Sequence, residues 1–392
     1  MKVRMKIKLN NNSFIYCLLW GLMFIQVFRP LRVPMMVSVG TWLIIFVTLI
    51  NFGVNIFFRK YVDRYFLLLL LLSVVTILSM MISGNISYQA IVVMMCFLEI
   101  PLFVSAQNRI DNMTHKAIYM VFVILGIFYI VQGCSAYAYL YETEYGERII
   151  NSLTLGYYNP NETALHLTVC NIVLLSLLYK VKKRYLKILL ISEIVTISYY
   201  ILLTQSRIAI LTLVFFIIML IIYCRRKSNK IPKLLVDIVL FIPVIFVFVT
   251  MRFSELMNSK MFLGDYLETG RYEIFGRVFE NMTVQKFLFG DYNFRFENLH
   301  NGLLSVFGTI GIIGATVFCM IICKKIFEVF DRGVCGLECK VALIGILCII
   351  LLSSTEAALI VSGGAFYVEV VAVFMLAEGK VYRENIANKY SI

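Results

Sequence analysis

Stretches of about twenty mostly apolar, nearly uncharged residues recur from one end of this chain to the other, and no other feature limits its fold so strongly. They cover residues 13–28, 33–58, 65–84, 86–106, 116–138, 162–179, 185–204, 207–224, 234–251, 300–322, 341–359 and 363–379. In hydrocarbon a backbone amide meets no water, so each run must satisfy its own hydrogen bonds as a helix. The expectation is an all-α, polytopic integral membrane protein with about twelve transmembrane helices, a single transmembrane domain over 1–392. Composition agrees, with 61% hydrophobic residues, 15% charged and a mean hydropathy of +0.87; a soluble domain carries charge on about a quarter of its residues. The basic start, Met1-Lys-Val-Arg-Met-Lys-Ile-Lys8, resembles the head of a signal peptide. No small-residue cleavage site follows Phe28 and a second run begins at once, so the first run is read as a retained helix.

Lysine and arginine divide unevenly between alternate loops. With the N-terminus on the inner side, 26 of the 36 fall inside and 10 outside. The positive-inside rule then puts both termini in the cytoplasm and the loops 139–161 and 252–299 outside, the second between helices 9 and 10. The same bias accounts for the net charge of +13, so the basic balance gives no reason to expect a nucleic-acid partner. Ten cysteines do not form a disulfide framework: most fall in apolar runs, and Cys335 and Cys339 lie on the reducing side without the ligand spacing of a zinc site.

Long loops in a tightly connected bundle are where function concentrates. Loop 139–161 is aromatic and acidic and ends in Gly156-Tyr-Tyr-Asn-Pro-Asn161. Its tyrosines read either as an interfacial belt or as stacking surfaces for sugar rings. Loop 252–299 holds a short amphipathic helix from Arg271, with Tyr272, Phe275 and Phe279 on one face. Such a helix would bring Arg271 and Arg277 to the surface on which His300 opens the tenth run.

Three histidines differ in setting. His115 lies in an inner loop, and His166 sits one turn into the sixth run, where an ordinary packed or hydrogen-bonded imidazole is expected. His300 stands at the positive end of a helix, which disfavours protonation and leaves a ring able to accept a proton. Arg207 starts the eighth run on the same edge; alone it would snorkel to the headgroups. Together with Arg271 and Arg277 it offers planar donor sets suited to phosphate oxygens. Arginines beside a neutral base suit a substrate with an anionic leaving group and a hydroxyl acceptor. A competing signal comes from Glu99, Glu193, Asp237 and Glu369, carboxylates in or near runs and mostly toward the inner half. They fit either helix-packing hydrogen bonds by protonated acids or a proton-coupled carrier.

In ordered fragments over its second half, the chain resembles the O-antigen polymerase and O-antigen ligase superfamily, including Wzy-type polymerases. The fragments are Asn159-Pro-Asn161, Ser206-Arg207, Gly270-Arg271 followed by Phe287-Leu-Phe-Gly290, and His300-Asn301-Gly-Leu-Leu with Gly311-Ile-Ile-Gly314. Thr309 stands where that superfamily often has an acid, and Phe275 near a frequent tryptophan. The resemblance implies a bacterial cytoplasmic-membrane glycosyltransferase that needs no metal or cofactor. It would polymerise undecaprenyl-pyrophosphate-linked repeat units at the outer face for O-antigen, capsule or exopolysaccharide. His300 would activate the acceptor hydroxyl, and Arg207 and Arg271, with Arg277 in support, would hold the pyrophosphate. Asn301 would orient the base or a sugar hydroxyl, and Asn159 with Asn161 would shape the acceptor side. A chain-length regulator and a repeat-unit flippase are the implied protein partners. The alternatives are a ligase of the same superfamily, and a flippase or exporter of lipid-linked oligosaccharide.

Overall fold

The computed structural model describes residues 11–58, 64–84, 112–135, 152–157, 159–224, 233–252, 271–280, 282–296, 299–331, 336–355 and 364–378. Regular structure among them is helical. Helices α1 (Asn11–Phe28), α2 (Pro34–Phe58), α3 (Arg64–Ile82), α4 (Asn112–Gly133), α5 (Pro160–Lys180), α6 (Arg184–Leu203) and α7 (Arg207–Cys224) come first. Then follow α8 (Lys233–Arg252), α9 (Arg271–Glu280), α10 (Val284–Phe289), a 3-10 turn at Tyr292–Phe296, α11 (Gly302–Asp331), α12 (Leu337–Leu352) and α13 (Gly364–Glu378). The apolar run 86–106, with Glu99, lies outside the described residues, as do most of loop 139–161 and residues 253–270.

Among the described residues, four helices are long and apolar enough to cross a membrane by length and composition: Met113–Gly133, Pro160–Lys180, Arg184–Leu203 and Gly302–Phe330. Shorter apolar helices include Phe14–Phe28, Pro34–Ile50, Leu70–Ile82, Arg207–Tyr223 and Val368–Ala377. Their outward side chains are large and apolar, Trp20, Met35, Ile188, Leu234 and Phe248 among them, while Gln26, His166, Glu193, Lys325 and Glu369 are buried. Apolar outside and polar inside is the arrangement a lipid solvent favours, and the chain is a membrane-embedded helical protein.

Helix α12 is the hub. It is buried along its length and packs against α5, α7, α8 and α13. It runs antiparallel to α5: Ser176 Oγ donates to the Glu338 carbonyl at 2.8 Å at one end, and Gly345 meets Ile172 midway. At the other end the Ser353 carbonyl accepts from the Gly302 amide at 2.8 Å, so α11 starts where α12 stops. That end of the bundle is the His300 face.

Where an unbroken tenth span was expected over 300–322, α11 is interrupted at Gly311 (φ 65°, ψ −174°) and continues to Asp331, taking in Lys324 and Lys325. A break inside a membrane helix strands carbonyl groups, and here two of them find donors from outside the helix. The Gly308 carbonyl accepts from the Asp291 amide at 2.7 Å, and the Thr309 carbonyl accepts from Ser79 Oγ of α3 at 2.6 Å. The loop that plugs the break comes so close that a Cβ on Gly290 would overlap the backbone of Thr309 and Gly311, and one on Gly311 the backbone of Leu288 and Gly290. Both glycines also hold positive φ, which side chains resist. The two glycine-bearing fragments noted in the sequence are one backbone-to-backbone joint.

Candidate functional site at the mouth of α11

The expected loop helix exists as α9, and its apolar face is what ties it down. Phe275 and Val278 are buried with Leu299 and Leu304 from the start of α11, and Phe246, Val247, Met282, Phe294 and Phe307 pack around them. Phe279 is half-exposed and stacks on Phe307 at 6.1 Å. Leu299 and Leu304 bracket His300, so the hydrophobic contact that seats α9 also fixes its position relative to the histidine. Arg271 is the first residue of α9, its side chain lying outside the described residues, and Arg277 is exposed on its polar side.

His300 is partly buried, two residues ahead of α11 and in the left-handed region at φ 48°. A non-glycine residue rarely adopts that conformation, which costs about 1 kcal/mol or more and persists only where neighbours impose it. Here Leu299 is fully buried on one side, and on the other Asn301 is anchored by three hydrogen bonds. Asn301 Nδ2 donates to the Ser354 carbonyl at 2.8 Å and the Pro243 carbonyl at 3.1 Å, and its Oδ1 accepts from the Leu304 amide at 2.9 Å. Asn301 therefore caps α11 and bridges it to α8 and α12. Its side-chain amide is committed to backbone partners on either side of His300. The Leu304 and Gly302 amides at this helix start are likewise taken, so the field expected from free helix-end amides is reduced at its source. Beyond Pro243, α8 continues to Arg252, roughly 13 Å of further rise. The mouth at His300 is thus recessed below the end of α8 and flanked by α9.

Arg207 and the asparagine turn form a second group. Arg207 is exposed at the first position of α7, after a turn in which Gln205 is left-handed and the Ser206 amide meets Thr204 Oγ1 at 3.3 Å. That turn is joined to buried residues 152–157 by the Leu153 amide donating to the Leu203 carbonyl at 3.0 Å. Asn159 caps α5, its Oδ1 accepting from the Asn161 amide at 2.8 Å, and Thr163 Oγ1 closes the turn onto the Thr154 carbonyl at 2.7 Å. Both asparagines are partly buried. Both groups lie on the same face, linked by α12, which packs on α5, α7 and α8 and touches the start of α11 through Ser353 and Ser354.

The sequence reading missed a buried ionic network on that face. Glu369 of α13, read beforehand as a packing acid or part of a proton-coupled carrier, meets His166 Nδ1 at 2.9 Å near the start of α5. Gln26 of α1 donates to Glu369 at 2.7 Å and takes a hydrogen bond from Tyr157. Glu162 pairs with Arg29 at 2.6 Å at the rim. His166 is the hydrogen-bonded imidazole that its position implied; its partners lie 140 and 203 residues away, where no local spacing points to them. Of the other carboxylates, Glu193 is buried against Gly126 of α4, and Asp237 lies in α8.

No group of three or more histidine, cysteine, aspartate or glutamate side chains suited to a metal ion occurs among the described residues. Compared with protein-family models and with curated proteins, the chain matches none.

Proposed function

We propose that this protein is a glycosyltransferase acting on polyprenyl-pyrophosphate-linked oligosaccharide repeat units, a Wzy-like polymerase working at the outer face of a bacterial cytoplasmic membrane. The observation that carries the reading is the docking of α9 on the mouth of α11, which puts an arginine-bearing helix beside a recessed histidine held in a strained conformation. Strain retained at a recessed polar position is a frequent mark of a working site. In the proposed step His300 takes the proton of an acceptor hydroxyl as its oxygen attacks the anomeric carbon, most simply with inversion. The bond from that carbon to the pyrophosphate oxygen breaks, and lipid pyrophosphate leaves. Arg271 and Arg207 stabilise the charge that grows on the leaving group, with Arg277 as an additional donor. Asn301 holds His300 in register, and the Asn159–Asn161 turn borders the acceptor side.

Replacing His300 with Ala in cells that make the polymer tests the assignment. The variant is expected to insert normally while polymer disappears and single lipid-linked repeat units accumulate. Polymer of normal length and amount from that variant would refute the base role. A ligase shares the same chemistry and differs in its acceptor, so transfer to a non-repeat acceptor in the same cells would identify that alternative.

A further inference from the structure

The network around His166 is a second titratable centre, separate from the mouth of α11. It is built from five segments: α1 with the turn after it (Gln26 and Arg29), Tyr129 of α4, Tyr157 of the 152–157 segment, Glu162 and His166 of α5, and Glu369 of α13. Gln26, Tyr129, Tyr157, His166 and Glu369 are all at least nine-tenths buried. The His166 ring stacks on Tyr157 at 5.3 Å. Farther along α5, Cys170 lies within the fields of Glu369 and of Glu193 on α6. Of the other helices packed on α13, α2 contains no titratable residue and the Leu343–Leu352 half of α12 only Cys348.

Counted over the described residues, this cluster is one proton short of neutral. Arg29 is cationic and two carboxylates, Glu162 and Glu369, face it and the imidazole, so a neutral ring leaves one net negative charge inside the bundle. Burying that charge is costly, and one proton removes it.

The hydrogen-bond geometry has two ways to hold that proton. Tyr157 donates to Gln26 Oε1, which orients the amide so that Nε2 faces both Glu369 Oε1 at 2.7 Å and His166 Nδ1 at 2.8 Å. Nδ1 also lies 2.9 Å from Glu369 Oε2. With hydrogen on Nδ1 the ring donates to an ionised Oε2. With Nδ1 bare, the ring accepts from Gln26 and from a hydrogen on Oε2. The transfer spans a single hydrogen bond; with hydrogen on Nδ1 the Gln26 amide keeps its bond to Glu369 Oε1 and gives up the one to the ring. On its other side His166 Nε2 is 4.0 Å from Glu162 Oε1, and Glu162 with Arg29 is 20% and 30% exposed, a route to the His300 face.

We propose that His166 and Glu369 form a one-proton binding site that exchanges with water at the His300 face through Glu162. On uptake a proton from hydronium passes by way of the Glu162 carboxylate to Nε2, and the Nδ1 hydrogen moves to Glu369 Oε2, leaving a neutral ring; release reverses both steps. The site clamps α1, α5 and α13, and α5 and α13 both pack on α12, whose end holds Asn301 and Gly302. Proton occupancy thereby bears on the mouth of α11.

The chain has three histidines, so ring-nitrogen-labelled protein in lipid gives three imidazole signals by solid-state NMR. Those of His115 and His300 are assigned by their loss in His115→Gln and His300→Gln. The His166 nitrogens are expected to exchange roles as pH falls from about 8 to 5, hydrogen leaving Nδ1 and appearing on Nε2 while the ring stays neutral. In Glu369→Gln, which keeps the side-chain shape, the change should move to at least tenfold higher proton concentration or vanish. A His166 signal constant across that range in the unaltered chain overturns the proposal, whether or not the variant folds. So does a Glu369→Gln titration identical to the unaltered one. Neither readout involves sugar transfer, so both stand apart from the polymerase reading.

Discussion

At the scale of the residue, the account turns on how a single histidine is held. His300 sits in a left-handed bend that nothing in its own side chain favours, between a buried leucine and an asparagine fastened to three backbone groups. Removing those fastenings with Asn301→Ala loses a helix cap and leaves the Pro243 and Ser354 carbonyls without this donor. The expected cost is about 2 kcal/mol of stability, read as a lower midpoint of thermal unfolding in detergent. Arg271→Lys should leave that midpoint unchanged and cut turnover, because a point charge cannot reproduce a two-pronged grip on phosphate; near-normal turnover would remove Arg271 from the proposed mechanism. In the sequence His300 stood out because the long polar loop meets an apolar run there, and Arg271 because it opens the amphipathic helix of that loop on the same face. The same reasoning passed over His166, whose chemistry depends on Gln26 and Glu369, distant in the chain and met only when α1 and α13 close on α5.

At the scale of the element, the interrupted α11 is the feature least visible beforehand. Gly311 is compatible with a continuous membrane helix, and the groups that satisfy the break come from Ser79 on α3 and Asp291 in a loop. Gly311→Ala should destabilise by about 2 kcal/mol or more, since it adds both a left-handed penalty and a backbone overlap. Gly308→Ala, whose Cβ would meet Leu299 and Phe294 side chains at ordinary contact distances of 3.4 to 3.6 Å, should be neutral or gain up to about 1 kcal/mol. Equal effects in thermal unfolding would contradict the joint. The plugging loop also has a pH signature. Burial pushes the Asp291 carboxyl up, but the Lys286 side chain at 2.9 Å, the Asn293 amide and Ser83 outweigh it and hold it below the usual value. A carboxylate depressed in the fold contributes stability above its unfolded value, near pH 4, and loses it as pH falls through the folded value. Asp291→Asn is therefore expected to lower stability at neutral pH and to flatten the decline seen below about pH 4.

At the scale of the whole molecule, the apolar runs were legible because their length and lack of charge leave only helices as a solution. The α9 helix was legible too, from Phe275 and Phe279, one of which became its buried anchor. What periodicity could not reveal was the hub role of α12, whose sequence is apolar on every side and so names no partner. Yet α12 unites the His300 mouth with the Arg207 turn and, through α5 and α13, with the His166 network. Removing the anchor tests whether α9 and the mouth work as one unit: Phe275→Ala should cost about 3 kcal/mol and lower turnover. The most direct measurement of the central claim is incubation of the purified chain in liposomes with a synthetic polyprenyl-pyrophosphate repeat unit, followed by separation of the products by size. The account predicts a ladder of lengthening lipid-linked chains from the unaltered protein and unreacted substrate from His300→Ala. A ladder of equal extent from both, or none from an intact and correctly inserted unaltered protein, would contradict it.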